Sequence, residues 1–278
     1  MAQRISASGH PLMVFNRTRA TAEEVTSRCE GTVAVADSAR EAAAAADVVV
    51  VSLADDAAVR ATYGGDDGLV AGLGSGTVVA DTSTVAPETV RALEPDVRAA
   101  GGVLVDTPVS GSVSSVEGGT ILVMAGGDED AVERAAPALE SFAQRIIHLG
   151  PLGAGATMKL AVNAMVFGLN QTLAEALVLA EKAGVARDLA YEVIANSAVA
   201  APFVQYKRAA YEQPGSVPVA FALELVAKDL DLAAALAQQV GAAVPQVATN
   251  RSVVGDAIAH GRGAQDLSAL AEHLRRDT

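Results

Sequence analysis

The sequence predicts a doubly wound α/β domain with a mostly parallel sheet, followed by an all-α domain with a long central helix. As far as about residue 150, short runs of β-branched residues alternate with helical segments, which is the pattern of βαβ units. After Gly150 almost no β-like run follows, and Ala, Leu, Val, Glu and Lys dominate. These two observations place the domain boundary near Gly150, with domains at 1–150 and 151–278.

Seven segments of the first domain are predicted as strands. The clearest is Asp47–Leu53, because its DVVVVSL run lacks polar–apolar alternation and so fits a strand buried on both faces. The other six are Leu12–Phe15, Thr32–Val35, Thr77–Asp81, Gly102–Asp106, Thr120–Ala125 and Arg145–Leu149. Helices are predicted between them at Thr21–Cys29, Ser38–Ala46, Asp55–Ala61, Pro87–Ala100 and Asp130–Phe142.

The second domain is predicted to centre on one apolar helix that runs from Ala156 to Ala183 and stops at Gly184. At the usual rise per residue it would be about 40 Å long. A helix of that length and apolarity must be buried on several sides, by its own domain or by a second subunit. Three further helices are predicted, at Val219–Val240, Pro245–His260 and Asp266–Arg275.

Composition and charge exclude several classes of function. The net charge of −13 argues against a nucleic-acid partner, since such domains usually carry a basic face. Cys29 is the single cysteine, and the four histidines show no metal-ligand spacing, so we expect neither a disulfide framework nor a metal. We find no apolar run of membrane-spanning length and no signal-peptide pattern in the first ten residues. We therefore expect a cytoplasmic protein without a membrane partner.

The start of the chain departs from the usual plan of a dinucleotide-binding domain. Such domains open with a strand, a GxGxxG turn and a helix whose N-terminus faces the pyrophosphate. Here Met1–Ser8 reads as the tail of a helix, Gly9 as its C-cap and Leu12–Phe15 as the next strand. We therefore expect the first strand and its glycine turn, roughly twenty residues, to be absent. Because that strand normally lies in mid-sheet, its loss should expose two strand edges and open the core.

The first predicted strand ends in residues that suit a dinucleotide. Asn16, Arg17 and Thr18 follow Phe15, at a position where a domain that prefers NAD usually has an acid. The forked donors of Arg17 instead fit a 2′-phosphate, which favours NADP, with NAD as the alternative. Read alone, these residues fit better as a turn with a helix-capping Thr18 and a solvated arginine.

Three other strand ends carry small polar residues. They are Ser52-Leu53, Asp81-Thr82-Ser83-Thr84 and Asp106-Thr107-Pro108-Val109-Ser110-Gly111. At the edge where an open α/β sheet places its site, such side chains can bind ribose, the nicotinamide amide or a substrate carboxylate. Each one in isolation is better explained by a helix cap at Thr84, or by a flexible turn at Ser110-Gly111-Ser112.

The start of the long helix, GAGATMKLAVNAM, carries Lys159 and Asn163 four residues apart and therefore on one helical face. The neighbours are apolar or small, so a lysine there is costly unless it meets a cleft, a ligand or a carboxylate. Desolvation also lowers the pKa of an ammonium, as proton exchange near neutral pH requires. The alternative is that Lys159 reaches the surface along its apolar stem. Lys228-Asp229, in a later helix, is either a second cation near the substrate or a surface ion pair.

In their order and spacing, these segments together resemble the β-hydroxyacid dehydrogenase family. Its members include 3-hydroxyisobutyrate dehydrogenase, tartronate semialdehyde reductase and glyoxylate/succinic semialdehyde reductase. The resemblance runs through essentially the whole chain. It implies a Rossmann-like first domain and hydride transfer between NADP or NAD and a small 3-hydroxy acid or its semialdehyde. It also implies a homodimer, or a tetramer, assembled through the long helix.

The resemblance implies roles for the residues of the site. Lys159 would be the catalytic acid/base, and Asn163 would orient the substrate beside it. Ser110 and Gly111 would bind the substrate carboxylate, with Ser112 at a position where the family commonly has a second glycine.

The remaining roles concern the cofactor. Lys228 would close the site between substrate and nicotinamide. The other residues that we expect to line the cofactor are Asn16, Arg17, Thr18, Ser52, Leu53 and Thr84. Two alternatives stay open: an imine reductase of the same fold, and a catalytically inert dimeric remnant that acts as a binding or scaffold protein. The related imine reductases usually replace the lysine with Asp or Tyr, so Lys159 favours a carbonyl or alcohol substrate.

Overall fold

The structure is a computed structural model that describes residues 1–275, so residues 276–278 of the predicted second domain lie outside the described part. The chain divides into two compact units, Met1–Lys159 and Leu160–Thr278. The assignment of domains to 1–150 and 151–278 stays a proposal.

The first unit alternates strands and helices. Its strands are β1 (Leu12–Val14), β2 (Val33–Val35), β3 (Val48–Val51), β4 (Val78–Asp81), β5 (Val103–Asp106), β6 (Val109–Ser110), β7 (Ile121–Ala125) and β8 (Ala143–His148). Its helices are α1 (Ala2–Ala7), α2 (Arg19–Thr26), α3 (Ala39–Ala44), α4 (Asp56–Tyr63), α5 (Leu69–Gly72), α6 (Pro87–Ala99), α7 (Val113–Glu117) and α8 (Glu129–Glu140). Each predicted strand is therefore present. Sequence reasoning missed β6, α5 and α7, which are too short to show a period.

The strands pair as the prediction of a mostly parallel sheet requires. Strand β1 pairs in parallel with β2, and β3, β4 and β5 form a second parallel group in that order. In the third group β6 runs antiparallel to β7, while β8 runs parallel to it. Strand β4 is the most deeply buried, since Val78, Val79 and Ala80 have no exposed surface. This confirms the prediction of a doubly wound, mostly parallel α/β fold.

Two strand edges open onto a cavity in the first unit. Within residues 1–275, β1 pairs only with β2, and β3 pairs only with β4. Residues of both β1 and β3 line one cavity of about 1250 Å³. The expected pair of open edges is thus present.

At the start of the chain, α1 and Gly9, with a φ of 86°, match the predicted helix tail and its glycine cap.

The second unit is helical. The long helix α9 (Ala154–Lys182) runs into it and is followed by α10 (Arg187–Ala195), α11 (Pro202–Glu212), α12 (Leu223–Val240), α13 (Pro245–Ala257) and α14 (Ala269–Arg275). Sequence reasoning missed α10 and α11. Their β-branched and aromatic residues weaken the helical signal, and burial compensates, because Tyr191 and Tyr211 lie in the core at 0% and 2% exposure.

Four predicted helix ends are off by three residues or more. Helix α2 ends at Thr26 rather than at Cys29, and α14 begins at Ala269 rather than at Asp266. The segment from Val219 is not helical before Leu223, because Asp266 accepts the backbone N–H groups of Ala220 and Phe221 and holds them extended. Helix α13 ends at Ala257 rather than at His260, since a π-helical turn (Ile258–Arg262) takes over there.

The expectation that no apolar run is long enough for a membrane span is also wrong. Helix α9 meets that criterion of length and composition, although 44% of its most apolar window is buried inside the protein. The core helix of a water-soluble protein passes the same test, so the finding carries little weight. The expected cytoplasmic location stays a prediction.

Candidate active site

Five residues predicted to line the cofactor share the cavity of the first unit. They are Asn16, Arg17, Thr18, Ser52 and Leu53. The first three follow β1 and the last two follow β3, so both sets lie at the carboxyl ends of parallel strands. This is the edge at which open α/β sheets place their ligands. Thr84 lies between β4 and α6, outside the cavity.

The turn after β1 is held by its own side chains. Asn16 Oδ1 accepts the backbone N–H of Thr18 at 2.8 Å, which forms an Asx turn. Thr18 occupies the N-cap position of α2, but its hydroxyl makes no capping hydrogen bond. Within residues 1–275, Arg17 forms no ion pair, whereas Arg19 pairs with Glu23 and Asp37. The turn therefore presents an exposed guanidinium at the cavity.

A buried hydrogen-bond network joins the ends of β3 and β4. The N–H of Leu53 donates to Ser83 Oγ at 2.9 Å, and the N–H of Ser83 donates to Asp81 Oδ1 at 2.8 Å. The other carboxylate oxygen of Asp81 accepts the hydroxyl of Tyr63 at 2.9 Å. Burial raises the pKa of Asp81 above its ordinary value, although hydrogen bonds from Ser83 and Tyr63 oppose the rise. Sequence reasoning gave Tyr63 no role, because nothing in its spacing links it to a strand end.

The predicted substrate loop follows β6. Gly111 has a φ of 143°, a backbone conformation that L side chains rarely adopt, so the conformation favours glycine. Ser112 caps the short helix α7, where it exchanges hydrogen bonds with Ser115 in a capping box. The hydroxyl of Ser112 is therefore engaged within the loop, while Ser110 is half-buried at the strand end.

The start of α9 is anchored by Asp106 at the end of β5. One of its carboxylate oxygens accepts the N–H of Gly153 at 2.7 Å, and the other accepts the N–H of Ala156 at 2.6 Å. A Cβ on Gly155 would clash with the Met124 carbonyl oxygen, so only glycine lets the start of α9 lie this close to β7. Burial raises the pKa of Asp106, and the two N–H groups oppose the rise. Sequence reasoning placed Asp106 at a strand end but did not link it to the helix.

Further along α9, Lys159 is half-buried and Asn163 is 6% exposed. The Asn163 amide donates to Asp229 Oδ2 at 2.6 Å, and Lys228 Nζ lies 2.9 Å from Asp229 Oδ1. Asp229 is 1% exposed, so the Lys228–Asp229 pair is not the surface pair that the sequence left open. One buried carboxylate thus joins two of the predicted site residues, Asn163 and Lys228. The catalytic roles of Lys159 and Asn163 stay predictions.

Two family models match successive parts of the chain. The NAD binding domain of 6-phosphogluconate dehydrogenase matches residues 1–150. The NAD-binding domain of NADP-dependent 3-hydroxyisobutyrate dehydrogenase matches residues 153–274. The chain belongs to the β-hydroxyacid dehydrogenase family. This member is accordingly an oxidoreductase with domains for NAD or NADP, as the resemblance implied.

The chain spans most of the length of relatives of known name. The 3-sulfolactaldehyde reductase of Escherichia coli (strain K12) is 33% identical over 275 residues, 99% of this chain and 91% of the reductase. The 3-hydroxyisobutyrate dehydrogenase of Pseudomonas aeruginosa is 34% identical over 264 residues, 91% of this chain and 86% of the dehydrogenase. The solved 3-hydroxyisobutyrate dehydrogenase of Mycobacterium tuberculosis with L-serine has a TM-score of 0.81 at 31% identity. That match covers 99% of this chain and 94% of the solved one.

Proposed function

We propose that this chain reduces a small semialdehyde, or oxidises the corresponding 3-hydroxy acid, with NADP as cofactor and Lys159 as acid/base. One observation carries the proposal. Lys159 lies half-buried on the helical face of Asn163, whose amide is fixed by the buried carboxylate of Asp229. A lysine and an oriented amide four residues apart supply a proton donor and a rigid hydrogen-bonding partner.

The protein's own groups would move and guide the proton. In oxidation, neutral Lys159 takes the proton of the substrate hydroxyl, and in reduction its ammonium returns a proton to the carbonyl oxygen. Because Asn163 donates through its nitrogen, its amide oxygen is the atom suited to accept from the ammonium or the hydroxyl. Ser110 and the N–H of Gly111 are suited to hold the substrate carboxylate. The nicotinamide, when bound, accepts or supplies the hydride.

The described residues fit part of the cofactor. Arg17, exposed and without an ion-pair partner in residues 1–275, suits the 2′-phosphate of NADP. Asn16, Ser52 and Leu53 line the same cavity and suit ribose and nicotinamide. No GxGxxG turn occurs within residues 1–275, so the described chain offers no such cradle for the pyrophosphate.

The substrate class follows from the relatives' names and from the loop after β6. The named relatives act on 3-sulfolactaldehyde and 3-hydroxyisobutyrate, both of which are small and anionic. The net charge of −13 disfavours an anion unless local donors hold it, which is the role proposed for Ser110, Gly111 and Lys228. A fitting test panel contains these two compounds, L-serine, succinic semialdehyde and a cyclic imine.

The test is turnover of Lys159→Ala. We expect kcat to fall by about two to four orders of magnitude, because general acid–base catalysis is lost, while NADPH affinity stays nearly unchanged. Lys182→Ala is the matched control, since Lys182 lies on the same helix and is exposed. Turnover is followed by NADPH absorbance and cofactor affinity by NADPH fluorescence.

Both measurements are also made on the chain extended at its N-terminus by a strand and a GxGxxG turn. Near-normal turnover of Lys159→Ala in whichever version is active would refute the role of Lys159. Reduction of the imine but of no semialdehyde would point to the imine reductase alternative. NADPH binding without turnover of any substrate in both versions would favour the inert binding protein.

A further inference from the structure

Three potential metal ligands meet in the second unit, at the point where α13 passes into its π-helical turn and faces α14. They are Asp256, His260 and His273, and one ligand atom of each lies within 4.8 Å of the others. The sequence predicted no metal, because the histidines lie on different elements with no recognisable spacing. Only the fold brings them together.

The distances suit a small ion. His273 Nε2 lies 2.8 Å from Asp256 Oδ2, and His260 Nδ1 lies 3.6 Å from Asp256 Oδ1. A tetrahedral zinc ion with bonds of about 2.0–2.2 Å holds its ligand atoms about 3.3 Å apart. The two observed distances, which run to different oxygens of Asp256, lie on either side of that value, and the shorter one is also that of a hydrogen bond. The ring centroids of His260 and His273 lie 5.3 Å apart, so both imidazoles flank the same carboxylate.

The backbone positions His260 for this role. Asp256 and His260 are four residues apart, the spacing at which a helix places two ligands on one face. The chain then leaves helical geometry, with ψ of 19° at His260 and φ of 79° at Gly261. His260 Nδ1 lies 2.8 Å from the Asp256 carbonyl oxygen. This hydrogen bond gives way when Nδ1 binds the ion.

Burial and charge also favour a cation. His273 is 4% exposed, whereas the side chains of Asp256 and His260 are 56% and 62% exposed. One ligand of the site is therefore buried, and the other two face solvent. Arg275, the nearest basic residue along α14, is paired with Glu181 and Glu272. The chain as a whole is strongly acidic.

We propose that Asp256, His260 and His273 form a site for a divalent transition-metal ion of the zinc type, which cross-links α13 and α14. Nitrogen and carboxylate ligands suit Zn²⁺, Ni²⁺ and Cu²⁺ and disfavour Ca²⁺ and Mg²⁺. Three protein ligands leave a coordination position for water. None of its three ligands is among the residues proposed for hydride transfer, and its role is to stabilise the second unit.

The test is calorimetric titration of the full, untagged and EDTA-treated chain with ZnCl₂ at neutral pH. We expect one strong site per chain and a Tm that rises with Zn²⁺, because the ion binds the folded state. His260→Ala should weaken binding by at least about 100-fold and abolish the Tm shift, since even outer partners of a metal site are worth about 10–100-fold. Asp256→Asn should have a similar effect.

The controls use the same chain. His148→Ala, which also removes an exposed histidine, should leave both readouts unchanged. His260→Ala and Asp256→Asn alter exposed side chains, so the test does not depend on replacing the buried His273. Absence of a strong zinc site in the parent chain overturns the proposal. So does binding that survives His260→Ala, or that Ca²⁺ matches in affinity.

Discussion

Two neighbouring arginines show how environment separates a structural from a ligand-binding role. Arg19 pairs with Glu23 and Asp37 at the start of α2, whereas Arg17 forms no ion pair within residues 1–275. The sequence predicted that Arg17 binds the 2′-phosphate, but it could not distinguish this from a solvated arginine. Arg17 lines the cavity of the first unit, and its role toward the 2′-phosphate stays a prediction.

Arg17→Gln tests that role. We expect NADPH affinity to fall by about ten- to hundredfold, because a charge-assisted hydrogen bond to phosphate is worth about 1.5–3 kcal/mol. NADH affinity should not change, since NADH lacks the 2′-phosphate. Fluorescence titration with both cofactors measures this, with Arg19→Gln as the control. Equal losses for NADPH and NADH would contradict the assignment.

At the scale of single elements, α9 depends on a residue outside it. Asp106 satisfies two N–H groups at the start of the helix, one turn before Lys159. Asp128 caps α8 through one comparable hydrogen bond to Ala131, but α8 carries no proposed catalytic residue. Comparing substitutions of Asp106 and Asp128 therefore separates an effect on stability from an effect on the position of Lys159.

Asp106→Ala should lower the free energy of unfolding by about 1–3 kcal/mol, because buried N–H groups lose their acceptor. It should also lower kcat more than it raises KM, since Lys159 loses its fixed position. Asp128→Ala should cost about 1 kcal/mol and leave kcat unchanged. Urea unfolding and steady-state kinetics measure both. A kcat in Asp106→Ala equal to that of Asp128→Ala would limit Asp106 to stability.

The second unit contains a buried ion pair that joins α11 to the segment before α14. Lys207 Nζ lies 2.9 and 2.8 Å from the two oxygens of Asp266, and the side chains are 7% and 10% exposed. Burial raises the pKa of Asp266, but the hydrogen bond and charge of Lys207 outweigh it and hold that pKa below the ordinary 3.8. The same carboxylate holds the extended segment before α12.

Lys207→Met should destabilise the protein by about 3–5 kcal/mol at pH 7, because it leaves a buried carboxylate without its cation. For a carboxyl whose folded pKa is depressed, the stabilisation is complete above the unfolded pKa and is lost as pH falls through the folded one. The difference between parent and variant should therefore shrink as pH falls and be smallest below about pH 3.8, where the parent loses this contribution. Urea unfolding across pH measures this.

The control is Arg251→Met. Arg251 pairs with Asp231 on the surface, with side chains 38% and 58% exposed. Its loss should cost under about 1 kcal/mol at any pH. If Lys207→Met cost no more than this control at pH 7, the buried pair would not stabilise the second unit.

At the scale of the whole molecule, α9 exposes an apolar stripe formed by Ala161, Met165, Ala176 and Leu179. These residues recur on one helical face, and Met165 and Leu179 are 77% and 73% exposed. On α10, Leu189 and Val193 are exposed as well. Exposed apolar residues that repeat on one helix face are typical of a surface that associates. We propose that it forms the dimer interface that the family resemblance implied.

The double variant Met165→Glu/Leu179→Glu should convert the protein from dimer to monomer at micromolar concentration, because two carboxylates would be buried without partners. Sedimentation velocity measures this. Val240→Glu is the matched control, since Val240 is 68% exposed at the end of α12. A parent chain that is monomeric at about 100 µM, a concentration at which even a modest interface associates, would contradict the proposal.

The sequence by itself determined the succession of strands along the chain and the long helix. DVVVVSL predicted a strand and the apolar run before Gly184 predicted a helix, because local periodicity and composition decide such elements. The prediction that this strand is buried on both faces is wrong, since Val48, Val49 and Val50 are half-buried where the edge of β3 lines the cavity. It also marked Lys159 and Asn163, since a polar pair on an apolar helix face is visible without the fold. The sequence did not predict short elements such as β6 and α5, because they span too few residues to show a period.

Only the tertiary structure decided which distant residues meet. Asp229 lies on a different helix from Asn163, Asp106 is far in sequence from the α9 start that it caps, and His273 is on a different element from Asp256. No local pattern encodes these pairs, because burial and packing set them after the elements form. The folded chain therefore adds to the predicted site the groups that hold its residues in place.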